Sequence, residues 1–331
     1  MAALTSSVAT LLDISKREDP NGKIARIVEL LTQQNEVLED MQWKEGNLPT
    51  GEKTTIRTGL PTPTWRLLNY GVQPTKSSTA QVTDNCGMLE AFSKCDVDLV
   101  KLNNNAAEYR LTEDVAHMEA MNQSLASTLF YGSTALNPER FVGLAPRYSA
   151  LSTDTTKAGS NIINGSGDSD RTSIWLVGWG ATTAHGIYPK GSKAGFSHED
   201  LGEDTVLDAA GGMYRAFVTH YKWDCGLTVR DWRYVVRIAN VDSAALQADA
   251  SSGADIIDLM TQALEVPPSL NGAKFVFYCN RTIKSYLRRQ ITNKSNVQLN
   301  LENVMGKPVM SFGGFPVRRC DQITNAETAV A

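Results

Sequence analysis

The chain has no closely spaced pair of cysteines. Cys86, Cys95, Cys225, Cys279 and Cys320 are odd in number and scattered, so neither a disulfide framework nor a zinc site is indicated, and a reducing compartment fits. No apolar run approaches the ~20 residues that a membrane-spanning helix requires. Residues 1–15 carry no Lys or Arg and no continuous apolar core, so a secretory signal is not expected there. The expectation is a soluble protein with no membrane partner, in which Asn-x-Ser/Thr triplets such as those at Asn122 and Asn280 carry little meaning. A surplus of positive charge is also missing. With 32 Lys and Arg against 36 Asp and Glu, the formal net charge is −4, and a protein that wraps nucleic acid needs an excess of cations to neutralise phosphates. There is no internal repeat, and no low-complexity tract beyond the loop-like stretch 159–170.

Catalytic signatures are equally scarce. Gly186-Ile187-Tyr188-Pro189-Lys190-Gly191-Ser192-Lys193 has the outline of a phosphate loop. Such a loop needs Gly-Lys-Ser/Thr opening a helix, so that backbone N–H groups cradle the phosphate. Here Ser stands where that Lys belongs and no helical pattern follows, which leaves a β-turn. His185, His198 and His220 lie among Glu199, Asp200, Glu203 and Asp204, but at spacings that match no metal-ligand template. Surface-loop histidines beside a solvated acidic run are the plainer reading. Gly191-Ser192-Lys193-Ala194-Gly195 puts its serine in the wrong place for a nucleophile elbow, and no carboxylate spacing marks a glycosidase. No cofactor and no metal are expected. A hydrolase using the 185–208 loops and a small oligomeric binding module stay open as functions.

What the chain does have is size. Its 331 residues, 42% of them hydrophobic, can bury a full core in two domains or in one domain with extensions. Helical and strand-like periodicities mix along it, which predicts an α+β chain. A central helix follows Thr112, placed to cap it, with Glu113 and Asp114 at the positive end of the dipole. Val115, Met118, Met121, Leu125 and Leu129 then line one face, expected to be core, and Gly132 is expected to end the helix in the left-handed conformation. Upstream, Asp19-Pro20-Asn21-Gly22 reads as a turn before a helix marked by Ile24, Ile27, Val28 and Leu31. Two β-rich runs, Thr54–Arg57 and Thr79–Thr83, flank Gly59, Pro61, Pro63 and Trp65, and predict a long hairpin with a broad tip. The prolines lack donors and belong at a loop or an edge. Residues 88–102 are expected to return the chain as a strand, and 153–170 to form a surface loop. Strands are predicted at 173–180, 214–221, 232–238 and 274–278, and helices at 255–264 and 281–291. Two short strands are predicted around Gly313-Gly314 within 309–320.

Several phrases carry a family resemblance. Leu129-Phe130-Tyr131-Gly132 is followed by Asn137-Pro138-Glu139-Arg140-Phe141-Val142-Gly143-Leu144 and the pair Arg147-Tyr148. Ser173-Ile174-Trp175-Leu176-Val177-Gly178-Trp179-Gly180, the run Arg233–Asp242 and the run Gly314–Asp321 extend the likeness over nearly the whole chain. Together they resemble the major capsid proteins of tailed double-stranded DNA phages, the short-tailed ones especially. The resemblance implies an α+β shell subunit of the Hong Kong 97-like fold, with a long spine helix, an extended β-hairpin loop, an N-terminal arm and mixed sheets. The long stretch between the spine phrase and the helix-rich last third leaves its strand order open. The implied organisation is an N-terminal arm at 1–48 lying along a neighbouring subunit, an extended hairpin loop and return strand at 49–110, the spine helix and peripheral domain at 111–235, and the axial domain with C-terminal strands at 236–331.

The resemblance further implies a structural protein without catalysis. It would self-assemble into pentamers and hexamers of an icosahedral phage head, assembled in the bacterial host cytoplasm and residing in the virion. Portal, scaffolding and possible cement or decoration proteins would be its partners, and duplex DNA would be enclosed without sequence-specific binding. On the hairpin, Lys53, Arg57, Trp65 and Arg66 are expected subunit contacts, since Trp and Arg are favoured anchors at interfaces. Arg281, Lys284, Arg288, Arg289 and Lys294 form a basic run with no acid from Asn280 to Leu301, on a helix with Ile283, Tyr286, Leu287 and Ile291 as its buried side. That helix is expected to face acidic protein of its own or an adjacent subunit; a solvated face with local ion pairs is the alternative.

Overall fold

The computed structural model describes residues 32–102, 106–208, 210–248, 255–293, 299–304 and 307–331. The chain enters through α1 (Val37–Asp40) and β1 (Trp43–Glu45), runs out and back along β2 (Gly51–Gly59) and β3 (Ser78–Asp96), and passes through α2 (Val97–Leu102) into the long helix α3 (Ala106–Tyr131). A short α4 (Leu144–Arg147) and β4 (Ile162–Asn164) precede β5 (Arg171–Trp179), β6 (Ala184–Tyr188), β7 (Phe196–Leu207), β8 (Met213–Val229) and β9 (Val235–Asp242). The last third alternates α5 (Ser243–Ala248), α6 (Ile256–Glu265), β10 (Lys274–Cys279), α7 (Arg281–Asn293), β11 (Leu299–Val304), β12 (Lys307–Phe312) and β13 (Phe315–Arg319).

The strands form one mixed sheet in the order β11-β12-β13-β10-β5-β6-β8-β3-β2, with β1 on β6, β7 on β8, β9 on β5 and β4 on β9. β5 is covered on both faces, which is why it reads as a continuous apolar run. Trp175, Val177 and Trp179 pack with Leu125, Leu129, Phe130 and Tyr148. Ile174 and Leu176 point the other way, among Met260, Phe275, Phe277 and Leu287. The long helix α3 and the α6–α7 pair therefore sit on opposite sides of a shared strand.

Several expectations need correction. α3 begins at Ala106, so Thr112 lies inside the helix rather than at its cap; Ala and Arg residues upstream favour extension over a stop. Gly132 does not adopt a left-handed conformation. It is required because a Cβ there would lie 2.4 Å from the Phe141 carbonyl oxygen and 2.5 Å from that of Thr128. Its carbonyl accepts from the Gly143 N–H at 2.8 Å, so the two halves of the spine phrase lock together. The apolar stripe of α3 is core only in part: Met121, Leu125 and Leu129 are buried, whereas Val115 and Met118 are exposed, the N-terminal half packing instead through Tyr109, buried against Cys95 and Val100.

Most of the segment 185–208 is strand rather than loop, comprising β6 and β7 with a turn at 189–195 between them. β7 was hidden because it is an edge strand with little apolar content. The stretch 153–170 contains β4 with buried Asn161 and Ile162, since the Asn161 amide donates to the carbonyls of Trp232 and Val235. Residues 88–102 form the second half of β3 and then α2, and 232–234 make a 3-10 turn before β9. The predicted turn at 19–22 and helix at 24–31 lie outside the described residues. The strands around Gly313-Gly314 and the helices at 255–264 and 281–291 are present as expected.

Candidate functional site

The hairpin is the most conspicuous projection. β2 and β3 pair from Gly51 with Asn85 out to Gly59 with Ser78, and residues 60–77 form its broad tip, with Pro61 and Pro63 in the loop. Leu60, Trp65, Leu67, Leu68 and Tyr70 are all exposed. Lys53, Arg57 and Arg66 are exposed as well, so the four expected contact residues share one free arm.

Its root is held firmly. The buried Glu52 carboxylate accepts from the His185 Nε2–H at 3.1 Å and from the Arg230 guanidinium. Burial alone pushes the Glu52 carboxyl up, but Arg230 and His185 together hold it below its ordinary value. Burial lowers the His185 pKa despite the adjacent carboxylate, so the ring is neutral at pH 7. A second clamp joins Asp84 to Arg147 at 2.8 Å, and the same guanidinium reaches the carbonyls of Val142 and Leu227.

The three histidines do not converge. His185 is buried under the hairpin rather than on a surface loop. His198 stacks on Tyr221, and His220 stacks on Phe92 with 4.4 Å between ring centroids. Asp200 takes the Arg110 guanidinium of α3 at 2.7 Å, tying β7 to the spine helix. Among the described residues no group of three or more His, Cys, Asp or Glu could hold a metal ion. Burial pushes the Cys279 and Cys320 thiols up to about 12, which leaves them protonated and inert.

On α7, Ile283, Tyr286 and Leu287 are buried, while Arg281, Arg288 and Arg289 are exposed. Lys284 lies 3.7 Å from Glu36, an acid of its own chain that also takes Arg318 at 2.9 Å. Arg289 rests 5.8 Å from the centroid of the Tyr286 ring. Lys294 lies outside the described residues. Close by, buried Asp40 accepts from Lys274 Nζ at 2.6 Å and from the Tyr278 hydroxyl at 3.1 Å, so the segment 33–48 is pinned to the chain's own sheet. Sequence reasoning missed Glu52, Arg147, Arg230 and Asp40, whose partners lie far away in the chain.

Residues 19–331 match the family described as major capsid protein GP7. The chain belongs to this family of major capsid proteins. A cryo-EM structure of bacteriophage Epsilon15 is similar to this capsid subunit at 38% identity and a TM-score of 0.79, covering 100% of this chain and 99% of that one. The capsid of bacteriophage JBD30 is similar at 8% identity and a TM-score of 0.47, over 97% of this chain and 96% of that one. The capsid of a native GTA particle is similar at 8% identity and a TM-score of 0.46, over 64% and 92%. No curated protein matches the capsid subunit significantly in sequence. The fold is Hong Kong 97-like, with α3 as its spine helix and β2–β3 as its extended loop, and the subunit is a structural shell protein rather than an enzyme.

Proposed function

We propose that this capsid subunit builds the pentamers and hexamers of an icosahedral phage head around duplex DNA by laying its β2–β3 hairpin on a neighbouring subunit. The observation that carries this reading is an exposed apolar tip on a clamped stalk. Fully burying one large apolar side chain is worth roughly 1.5–3 kcal/mol, so Trp65, Leu67, Leu68 and Tyr70 gain most when a second surface covers them. Arg66 lies within that patch and Arg57 two residues before the end of β2, and both are read as its polar rim; Lys53, beside the clamped Glu52, is the proposed contact nearest the root. Trp65→Ala should leave the circular dichroism and thermal midpoint of the isolated subunit unchanged, because the side chain is fully exposed. Particle yield, scored by electron microscopy and sedimentation, should fall at least tenfold. Normal shells from this variant would overturn the assignment.

The remaining parts follow from the same reading. Residues 1–48 are read as the N-terminal arm, its segment 33–48 anchored to its own sheet through Asp40 and Glu36 rather than to a neighbour, 49–110 as the extended loop with its return, 111–235 as the peripheral region and 236–331 as the axial region. Portal, scaffolding and decoration proteins are the expected partners, with assembly in the host cytoplasm. The exposed Arg281, Arg288 and Arg289 face acidic protein of an adjacent subunit, while Lys284 is engaged by Glu36. Net charge −4 predicts weak, non-specific binding of isolated subunits to duplex DNA, because each neutralised phosphate adds to affinity and to its salt dependence. Filter binding at near-physiological salt checks this: submicromolar affinity abolished by Arg288→Glu with Arg289→Glu would refute it.

A further inference from the structure

Two exposed pieces of this subunit carry opposite charge. From Lys53 to Thr83 the hairpin holds Lys53, Arg57, Arg66 and Lys76 and no Asp or Glu. All four cations are exposed, and none forms an ion pair with another described residue. β7 is the converse. From Phe196 to Asp208 the chain holds Glu199, Asp200, Glu203, Asp204 and Asp208 and no Lys or Arg. Arg110 takes Asp200 at 2.7 Å and Arg215 takes Glu203 at 2.6 Å. Glu199, Asp204 and Asp208 are exposed and meet no Lys or Arg among the described residues.

The sheet leaves β7 open to a partner. β8 pairs with β3 through residues 216–226 and with β7 through residues 213–223, so β3 and β7 flank it. Among the described residues the other edge of β7 is unpaired. A row of free backbone groups invites another strand, and acids along it repel an identical edge while attracting a cationic one. Apolar side chains accompany the acids, since Phe196, Leu201 and Leu207 are exposed as well. The length also fits: β2 has 9 residues and β7 has 12, spans of about 30 and 40 Å at about 3.3 Å per residue. The chain's own hairpin rises from β3, across β8 from this edge, so its occupant is a second copy. A donor and a receiver at different places on one subunit make a head-to-tail contact, the kind that closes into rings larger than a dimer. The exposed cations of α7 are a poorer match, because no large apolar side chain is exposed beside them among the described residues.

We propose that β7 is the surface that receives the β2–β3 hairpin of a neighbouring copy. Arg57, Arg66 and Lys76 of the hairpin meet Glu199, Asp204 and Asp208, while Trp65, Leu67 and Leu68 cover Leu201 and Leu207. The inference rests on the reading of the hairpin as an intersubunit arm, and adds where that arm lands.

The test is a charge swap in the full chain. Arg57→Glu with Lys76→Glu reverses the hairpin, and Glu199→Lys with Asp204→Lys reverses β7. All four side chains are exposed, so the thermal midpoint of the subunit should not move. Each pair alone should lower particle yield at least tenfold, and the two pairs in one chain should restore it to within about threefold of wild type. A harmless β7 reversal beside a defective hairpin reversal would keep the arm and place its receiver elsewhere, overturning this proposal alone. Normal shells from the hairpin reversal would overturn it together with the reading beneath it, and two defective pairs without rescue would also refute it. A carbodiimide, which joins amines to carboxylates in direct contact, provides a readout on wild-type particles. In shells built from mixed light and heavy-isotope subunits, Lys76 should be linked to Glu199, Asp204 or Asp208 of a different copy. Links from Lys76 only to other carboxylates, or only within one copy, would sink the idea.

Discussion

Glu52 is a carboxylate kept charged inside a sheet by Arg230 and a neutral His185. The His185 pKa is lowered in the folded subunit from an ordinary value of 6.5. Below that pH the unfolded chain takes up a proton that the folded one refuses, so stability falls on acidification. Glu52 adds a loss at lower pH, since its folded pKa lies below the usual 4.5 and its contribution disappears as pH drops through that range. Calorimetry should show the thermal midpoint dropping between pH 7 and pH 5. His185→Gln, which keeps a donor for Glu52, should flatten the upper part of that drop and leave the lower part intact. A larger effect is expected at Glu327, whose buried carboxylate accepts from Arg237 at 2.8 Å, Tyr131 at 2.5 Å and the Ser173 hydroxyl. Glu327→Ala strands a buried guanidinium and should cost about 3–5 kcal/mol in denaturant unfolding.

At the scale of elements, the spine helix depends on two glycines that let backbones touch. Gly132→Ala should destabilise the subunit by about 1–3 kcal/mol through overpacking against the Phe141 and Thr128 carbonyls, measured as a shift in the denaturation midpoint with an unchanged slope. The sequence showed this element's phrase but assigned the glycine a dihedral role, because a tight approach between residues nine apart leaves no local mark. Strands covered on both faces, such as β5 and β10, were legible as dense apolar runs. The hairpin was legible from Pro61, Pro63 and the β-branched runs around them. β7 was not, because Glu199, Asp200, Glu203 and Asp204 give it no periodic apolar face. The exposed Trp65 could be named from sequence, whereas the Glu52 cluster could not, its partners being 133 and 178 positions away. Likewise, periodicity placed Val115 and Met118 on the core stripe but could not say where the core ends.

At the scale of the whole molecule, the sheet closes its first described residues onto its last. Asn35 bridges to Cys320, the Asp321 N–H donates to the Gln34 carbonyl at 3.1 Å, and β1 lies parallel to β6. Contacts of such separation are slow to form, because loop-closure entropy must be met before they contribute. A chain stopped at residue 300 should therefore stay sensitive to limited proteolysis at 33–48, while the full chain resists. The separation of 285 positions between Asn35 and Cys320 also sets a clock. At roughly 5–20 residues per second of synthesis, the opening segment waits about 15–60 s for the strand that receives it. The hairpin tip emerges early in that interval, before the His185 of β6 and Arg230, just after β8, are there to stiffen its root. A nascent subunit thus carries the exposed Trp65, Leu67, Leu68 and Tyr70 on a stalk whose root is not yet clamped.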